Sequence, residues 1–104
     1  MKEAILGLDV GTSGIKCSLY DFNGRELFKS YRTYSSTKIS DDMMEIDTEI
    51  LWRAVVDVIR DIIKLNSEKY RIASVGICAI MIMPVFIDRY GIVIRPVIHW
   101  FDSR

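Results

Sequence analysis

Residues 4–16 read Ala-Ile-Leu-Gly-Leu-Asp-Val-Gly-Thr-Ser-Gly-Ile-Lys, and no other stretch constrains the fold of this chain as tightly. An apolar run, Ala4 to Leu8, ends in one carboxylate, Asp9. A turn of small residues follows, Gly11-Thr12-Ser13-Gly14, and then a cation, Lys16. A short apolar run bounded by turn residues reads as a buried strand. Asp9 then stands at the strand's C-terminal end, on the rim of a sheet. Gly11 and Gly14 permit positive φ and close approach of a ligand to the backbone. Free N–H groups in such a turn, with the hydroxyls of Thr12 and Ser13 and the ammonium of Lys16, suit a phosphate. A carboxylate beside a phosphate makes sense only if Mg²⁺ or water lies between them. The other reading is a tight hairpin whose Asp and Ser merely serve the turn.

The next segments extend this strand into a meander. Residues 15–21 alternate as a strand, and Asp21-Phe22-Asn23-Gly24 is a turn with a strong Asn-Gly hairpin signal. Residues 25–34 read as a third strand with mixed faces, as at a sheet edge. Residues 35–46 are polar and irregular and are expected to form a surface loop. Asp47 or Thr48 caps a helix, with Glu49 set against its N-terminal dipole. Leu51, Trp52, Val55, Val58, Ile59, Ile62 and Ile63 recur at three- and four-residue steps, which predicts one amphipathic helix of roughly four turns packed on the sheet. Asn66-Ser67 ends it.

Residues 72–88 are almost wholly apolar but are interrupted by Gly76 and Pro84, so they predict strands rather than a membrane span. Asp88-Arg89-Tyr90-Gly91 is a turn from which Ile92-Val93-Ile94 pairs back. The expected fold is α/β: a three-strand antiparallel meander, an amphipathic helix, a strand parallel to the first, then a short hairpin.

Charge narrows the partners. The 14 basic and 14 acidic residues cancel, which removes the electrostatic case for nucleic acid or a membrane surface. A cytoplasmic chain is expected. The two cysteines, Cys17 and Cys78, lack metal-ligand spacing. On strands flanking the first they would be roughly 9–10 Å apart, too far for a disulfide, so both are expected as buried thiols.

The strand-Asp-x-Gly-Thr turn resembles the first phosphate loop of the actin-like ATPase superfamily, whose fold is ribonuclease H-like. Four segments narrow the likeness: residues 7–16, Glu45-Ile46-Asp47 leading into Leu51-Trp52, Ser74-Val75-Gly76-Ile77, and Asp88-Arg89-Tyr90-Gly91 through Arg95-Pro96-Val97-Ile98-His99-Trp100-Phe101-Asp102-Ser103-Arg104. In this order they resemble the N-terminal part of FGGY-family carbohydrate kinases, the group of xylulokinase, gluconate kinase and glycerol kinase. The closing segment is similar to that family's R-P-x-I-x-W-x-D-x-R and sets the chain apart from Hsp70 or actin.

The resemblance implies an incomplete N-terminal kinase domain over residues 1–104, part of an enzyme that transfers the γ-phosphoryl group of ATP to a sugar or polyol hydroxyl. It implies ATP and Mg²⁺ as cofactors, bound weakly or not at all by the isolated chain. Asp9 would orient Mg²⁺-bound phosphates, through water, and Gly11, Thr12, Ser13 and Lys16 would line the phosphate path. Trp100 and Asp102 would fall at the sugar site. Where family members carry a polar sugar-binding run, this sequence reads Ile80, Met81, Ile82 and Met83, so Met81 and Ile82 would face the sugar with an apolar wall. No catalytic residue is assigned, because the family's catalytic base and adenosine pocket lie beyond the matched motifs. Expected partners are a sugar or polyol if the chain is complemented, and a second copy or a complementary kinase fragment. The alternative function is a non-catalytic, kinase-like binding or assembly module.

Overall fold

The computed structural model describes residues 1–11, 14–79 and 84–98. The opening apolar run forms β1 (Lys2–Val10), followed by β2 (Gly14–Asp21) and β3 (Glu26–Thr33). Both pairings are antiparallel, with Leu8 opposite Cys17 and Asp9 opposite Lys16. The expected meander is therefore present. After the helix α1 (Thr48–Asn66) comes β6 (Tyr70–Ala79), which lies parallel to β1 and completes a sheet of order β3-β2-β1-β6.

The expected surface loop over 35–46 is corrected. It contains β4 (Thr37–Ser40) and β5 (Met43–Ile46), an antiparallel pair. A second partner, β7 (Val97–Ile98), runs antiparallel to β5 and makes a three-stranded sheet. Ile46 and Val97 sit opposite one another in that register and both are buried. The polar sequence of 35–46 hides this strand because its apolar partner is remote in the chain. The Arg95 guanidinium pairs with the Glu45 carboxylate beside it.

The helix is longer than its pattern suggests, 19 residues or about five turns. Its start is set by Asp47, whose Oδ1 accepts the Glu49 N–H at 2.8 Å. Ser67 closes it in the left-handed region at φ 44°, donating its N–H to the Ile63 carbonyl. Asn66 then ties the helix to β6: it donates to the Tyr70 carbonyl at 2.9 Å and accepts the Tyr70 N–H at 3.1 Å.

The core lies between α1 and one face of the larger sheet. Alternate residues of β1 and β2, namely Ala4, Leu6, Leu8, Ile15, Cys17 and Leu19, meet Ala54, Val55, Val58 and Ile62. The helix lies over β2 and β3. Asp61 fixes this placement by accepting the Ser30 hydroxyl at 2.6 Å and pairing with Arg32 at 2.8 Å. By helical spacing Trp52 and Ile63 fall on the opposite flank, and both are exposed. The predicted apolar stripe is thus buried along its middle and bare on one side.

β6 is bare as well. Val75 is 54% and Ile77 68% exposed, although both share the helix-side face with the buried Leu6 and Leu8. Cys78 is exposed, which corrects its expected burial, whereas Cys17 is buried. They partner consecutive β1 residues, Asp9 and Leu8, so they face opposite sides of the sheet. Burial pushes the Cys17 thiol up to about 11.

Beyond Pro84 the expected second strand is reduced to one bridge, Ile87 to Val93, flanking the turn at Asp88. The expected strand residues at 80–83 lie outside the described residues.

Candidate functional site

The side of the larger sheet away from α1 carries the polar residues. Asp9, next to last in β1, lies between Lys16 on β2 and Cys78 on β6 in the strand register. The neighbouring row is Ser18, Gly7 and Gly76. Together with Tyr20 these residues line an open groove of about 470 Å³. Nothing lies within 4 Å of where a Cβ on Gly76 would stand, so a ligand can reach the backbone there, whereas the Tyr20 ring stands over Gly7.

Asp9 is exposed and makes no ion pair among the described residues. Lys16 turns to Glu26 instead, with Nζ 3.7 Å from the carboxylate. A register shift between Leu19 and Tyr20 puts Glu26 opposite Tyr20, which brings it to the groove side of the sheet. Its carboxylate accepts the Ser18 hydroxyl at 2.9 Å and the Tyr20 hydroxyl at 3.5 Å. The Ser18 hydrogen bond holds the Glu26 carboxyl below its ordinary value, and the charges of Lys16 and Lys29 add to this. Sequence reasoning missed Glu26, Ser18 and Tyr20. Only the bulge decides which face Glu26 takes, and nothing in the alternation of residues 25–34 reveals it.

Gly11 follows β1 and Gly14 opens β2. The Gly11 N–H donates to the Gly14 carbonyl at 2.9 Å. Gly11 is not in the left-handed region that the sequence suggested; close approach requires the glycine instead. A Cβ there would stand 2.8 Å from the Gly14 oxygen, and one on Gly14 would stand 2.2 Å from the Tyr31 hydroxyl. The structure thus brings together Asp9, Gly11 and Lys16 from the predicted set. Thr12, Ser13, Met81, Ile82, Trp100 and Asp102 lie outside the described residues.

The donor set suits a magnesium ion that arrives with phosphates. Among the described residues no group of three acidic, His or Cys side chains forms a cage. One exposed carboxylate beside a lysine instead matches the usual division between one or two protein carboxylates, waters and phosphate oxygens. Asp9 is the residue that would face such an ion.

The sequence model for the N-terminal domain of the FGGY family of carbohydrate kinases matches residues 4–104. The chain is 30% identical over 102 residues to a xylulose kinase of Staphylococcus xylosus, covering 96% of this chain and 20% of that protein. It is 29% identical over 104 residues to a gluconokinase of Bacillus subtilis (strain 168), covering 100% of this chain and 20% of that protein. The fold superposes on the crystal structure of a xyloylose kinase from Brucella ovis with TM-score 0.93 at 25% identity, over 98% of this chain and 22% of that one. The chain thus spans about one fifth of the length of these relatives.

Proposed function

The chain belongs to the FGGY family of carbohydrate kinases, and from this premise we propose that it forms the opening part of the N-terminal domain of an ATP-dependent sugar or polyol kinase. On this reading residues 1–104 are an incomplete kinase domain of a cytoplasmic enzyme. The observation that carries it is the exposed Asp9 at the C-terminal end of β1, facing an open groove beside Lys16. Such catalysis rests on positioning and charge neutralisation. Asp9 would face Mg²⁺ through water, and Gly11, Thr12, Ser13 and Lys16 would line the phosphate path. Mg²⁺, when bound with ATP, supplies charge neutralisation on the phosphates. Trp100 and Asp102 would meet the sugar, with Met81 and Ile82 as an apolar wall that alters which sugar fits. The catalytic base would come from elsewhere in the kinase, so the 104 residues alone would be inactive.

Calorimetric titration with Mg·ATP, then with pentoses, ketoses, gluconate and glycerol, tests the reading. Weak phosphate-dependent binding that Asp9→Ala abolishes is the expected result. Binding that survives Asp9→Ala overturns it, and no binding at all favours the second reading, a non-catalytic binding or assembly module.

One observation bears on both readings. The bare helix flank at Trp52 and Ile63, the uncovered β6 and the exposed apolar residues of 85–94 leave much hydrophobic surface in water. Apolar surface on this scale marks a docking face. We assign it to a complementary kinase fragment or a second copy of the chain. Sedimentation that shows a monomer at micromolar concentration counts against the second copy.

A further inference from the structure

Lys16 has a choice of two carboxylates. Asp9 is its direct partner across the β1–β2 pair, and Glu26 comes from β3. Directly opposite side chains stand about 4.5–5.5 Å apart at Cβ, and opposite charges so placed attract. Lys16 nevertheless lies against Glu26 and leaves Asp9 without an ion pair among the described residues.

The two carboxylates differ in how they are held. Ser18 is 2% exposed, and its hydroxyl donates to Glu26 Oε2, the oxygen that also faces Tyr20 and Lys16. An exposed ion pair is weak in part because two long side chains must be ordered to form it. Here one of them is ordered already. Asp9 is exposed at the end of its strand. The bulge in the β2–β3 pair supplies the geometry. Phe28 is opposite Leu19, so in unbroken register Leu27 would stand opposite Tyr20. The shift gives that place to Glu26 and leaves both Leu27 and Phe28 packed against the core.

We propose that Glu26 is a positioning residue that holds Lys16 away from Asp9, and so keeps the Asp9 carboxylate open to a metal ion arriving with phosphates. This rests on the phosphate-binding reading given above. A lysine paired with Asp9 would compete with the cation for the same oxygens and would have to be displaced first. Held by Glu26, Lys16 still lines the groove, where its ammonium can meet a phosphate.

Glu26→Gln removes the charge that holds Lys16 but keeps an oxygen to accept the Ser18 hydroxyl, so the variant is expected to fold. In the nucleotide-free chain, nuclear Overhauser spectra should then place the Lys16 ε-methylene against the Asp9 β-methylene, a contact the wild type lacks. Mg·ATP affinity, read by calorimetry, should fall about two- to fivefold, the worth of one exposed ion pair. Lys16→Met tests the route: in that background Glu26→Gln should lower the affinity no further. Lys16 that stays away from Asp9 in Glu26→Gln overturns the proposal whatever the nucleotide does. In a chain that binds Mg·ATP, an affinity that is unchanged or rises in Glu26→Gln overturns it too, since Glu26 would then be no more than a repelling charge. A further fall in the double variant does the same. If the wild-type chain binds no Mg·ATP but Lys16 moves to Asp9 in Glu26→Gln, the hold on Lys16 stands and the phosphate reading is what fails.

Discussion

Two turns in this chain are built alike and end differently. In Asp21-Phe22-Asn23-Gly24, Asp21 Oδ1 accepts the N–H groups of Asn23 and Arg25, both at 2.9 Å. In Asp88-Arg89-Tyr90-Gly91, Asp88 Oδ1 accepts those of Tyr90 and Ile92, at 2.8 and 3.0 Å. Each Asp carbonyl takes the glycine N–H at 3.0 Å, and the glycines stand at φ 84° and 80°. Only the surroundings differ. The first turn joins two eight-residue strands, with Cys17 and Leu19 buried beneath α1. The second joins segments that pair through one bridge, with Ile87, Ile92 and Ile94 exposed. An Asp at the first position and a left-handed glycine at the fourth suffice to write the turn. Pairing spreads from it only where burial rewards the ordering of the flanking residues.

The sharpest test of this contrast uses the thiols. Cys78, on the bare strand, should react with a thiol reagent at once, whereas Cys17 should react only through global opening. For a domain of ordinary stability that is slower by about a thousandfold or more. Comparable rates would break the distinction between the covered and uncovered parts of the sheet. Next in size are core substitutions followed by urea denaturation. Leu19→Ala should cost about 2–5 kcal/mol, and Ile77→Ala, on the same face but uncovered, should stay within about 0.5 kcal/mol. The smallest effect concerns the turns themselves. Asp21→Ala should lower the melting midpoint while Asp88→Ala leaves it in place and frays only its own turn. The Asp21 carboxyl is held below its ordinary value, first by the Arg25 N–H, as Glu26 is by Ser18. Their contribution is therefore fully present above the ordinary carboxylate range and is lost as pH falls below about 4. Asp21→Asn should flatten that acid limb. An equal drop in midpoint for the two Asp→Ala variants would show that the exposed hairpin is bound into the core after all.

Much of the layout was legible because it is local. The meander, both turns, the Asp47 cap and the strand after the helix follow from patterns a few residues long. So does the placement of Asp9 at a strand end, with Gly11 and Lys16 near it. Two of the misses are decided by residues far apart. β5 is a strand because Val97 and Ile98 come to lie beside Glu45 and Ile46, and no window over 35–46 contains them. Tyr34 looks like any aromatic after a strand until its hydroxyl meets Gly11.

The sequence by itself therefore determined the family and the order of β1, β2, β3, α1 and β6, since hydrophobic period, capping and turn chemistry act over single turns and strands. Tertiary structure alone decided which face Glu26 joins, which cysteine stays buried and which strand is left uncovered. Those outcomes depend on register and on where the helix settles. Asp61 draws the helix toward Ser30 and Arg32 on β3, so β6 keeps an apolar face that no alternation pattern marks as exposed.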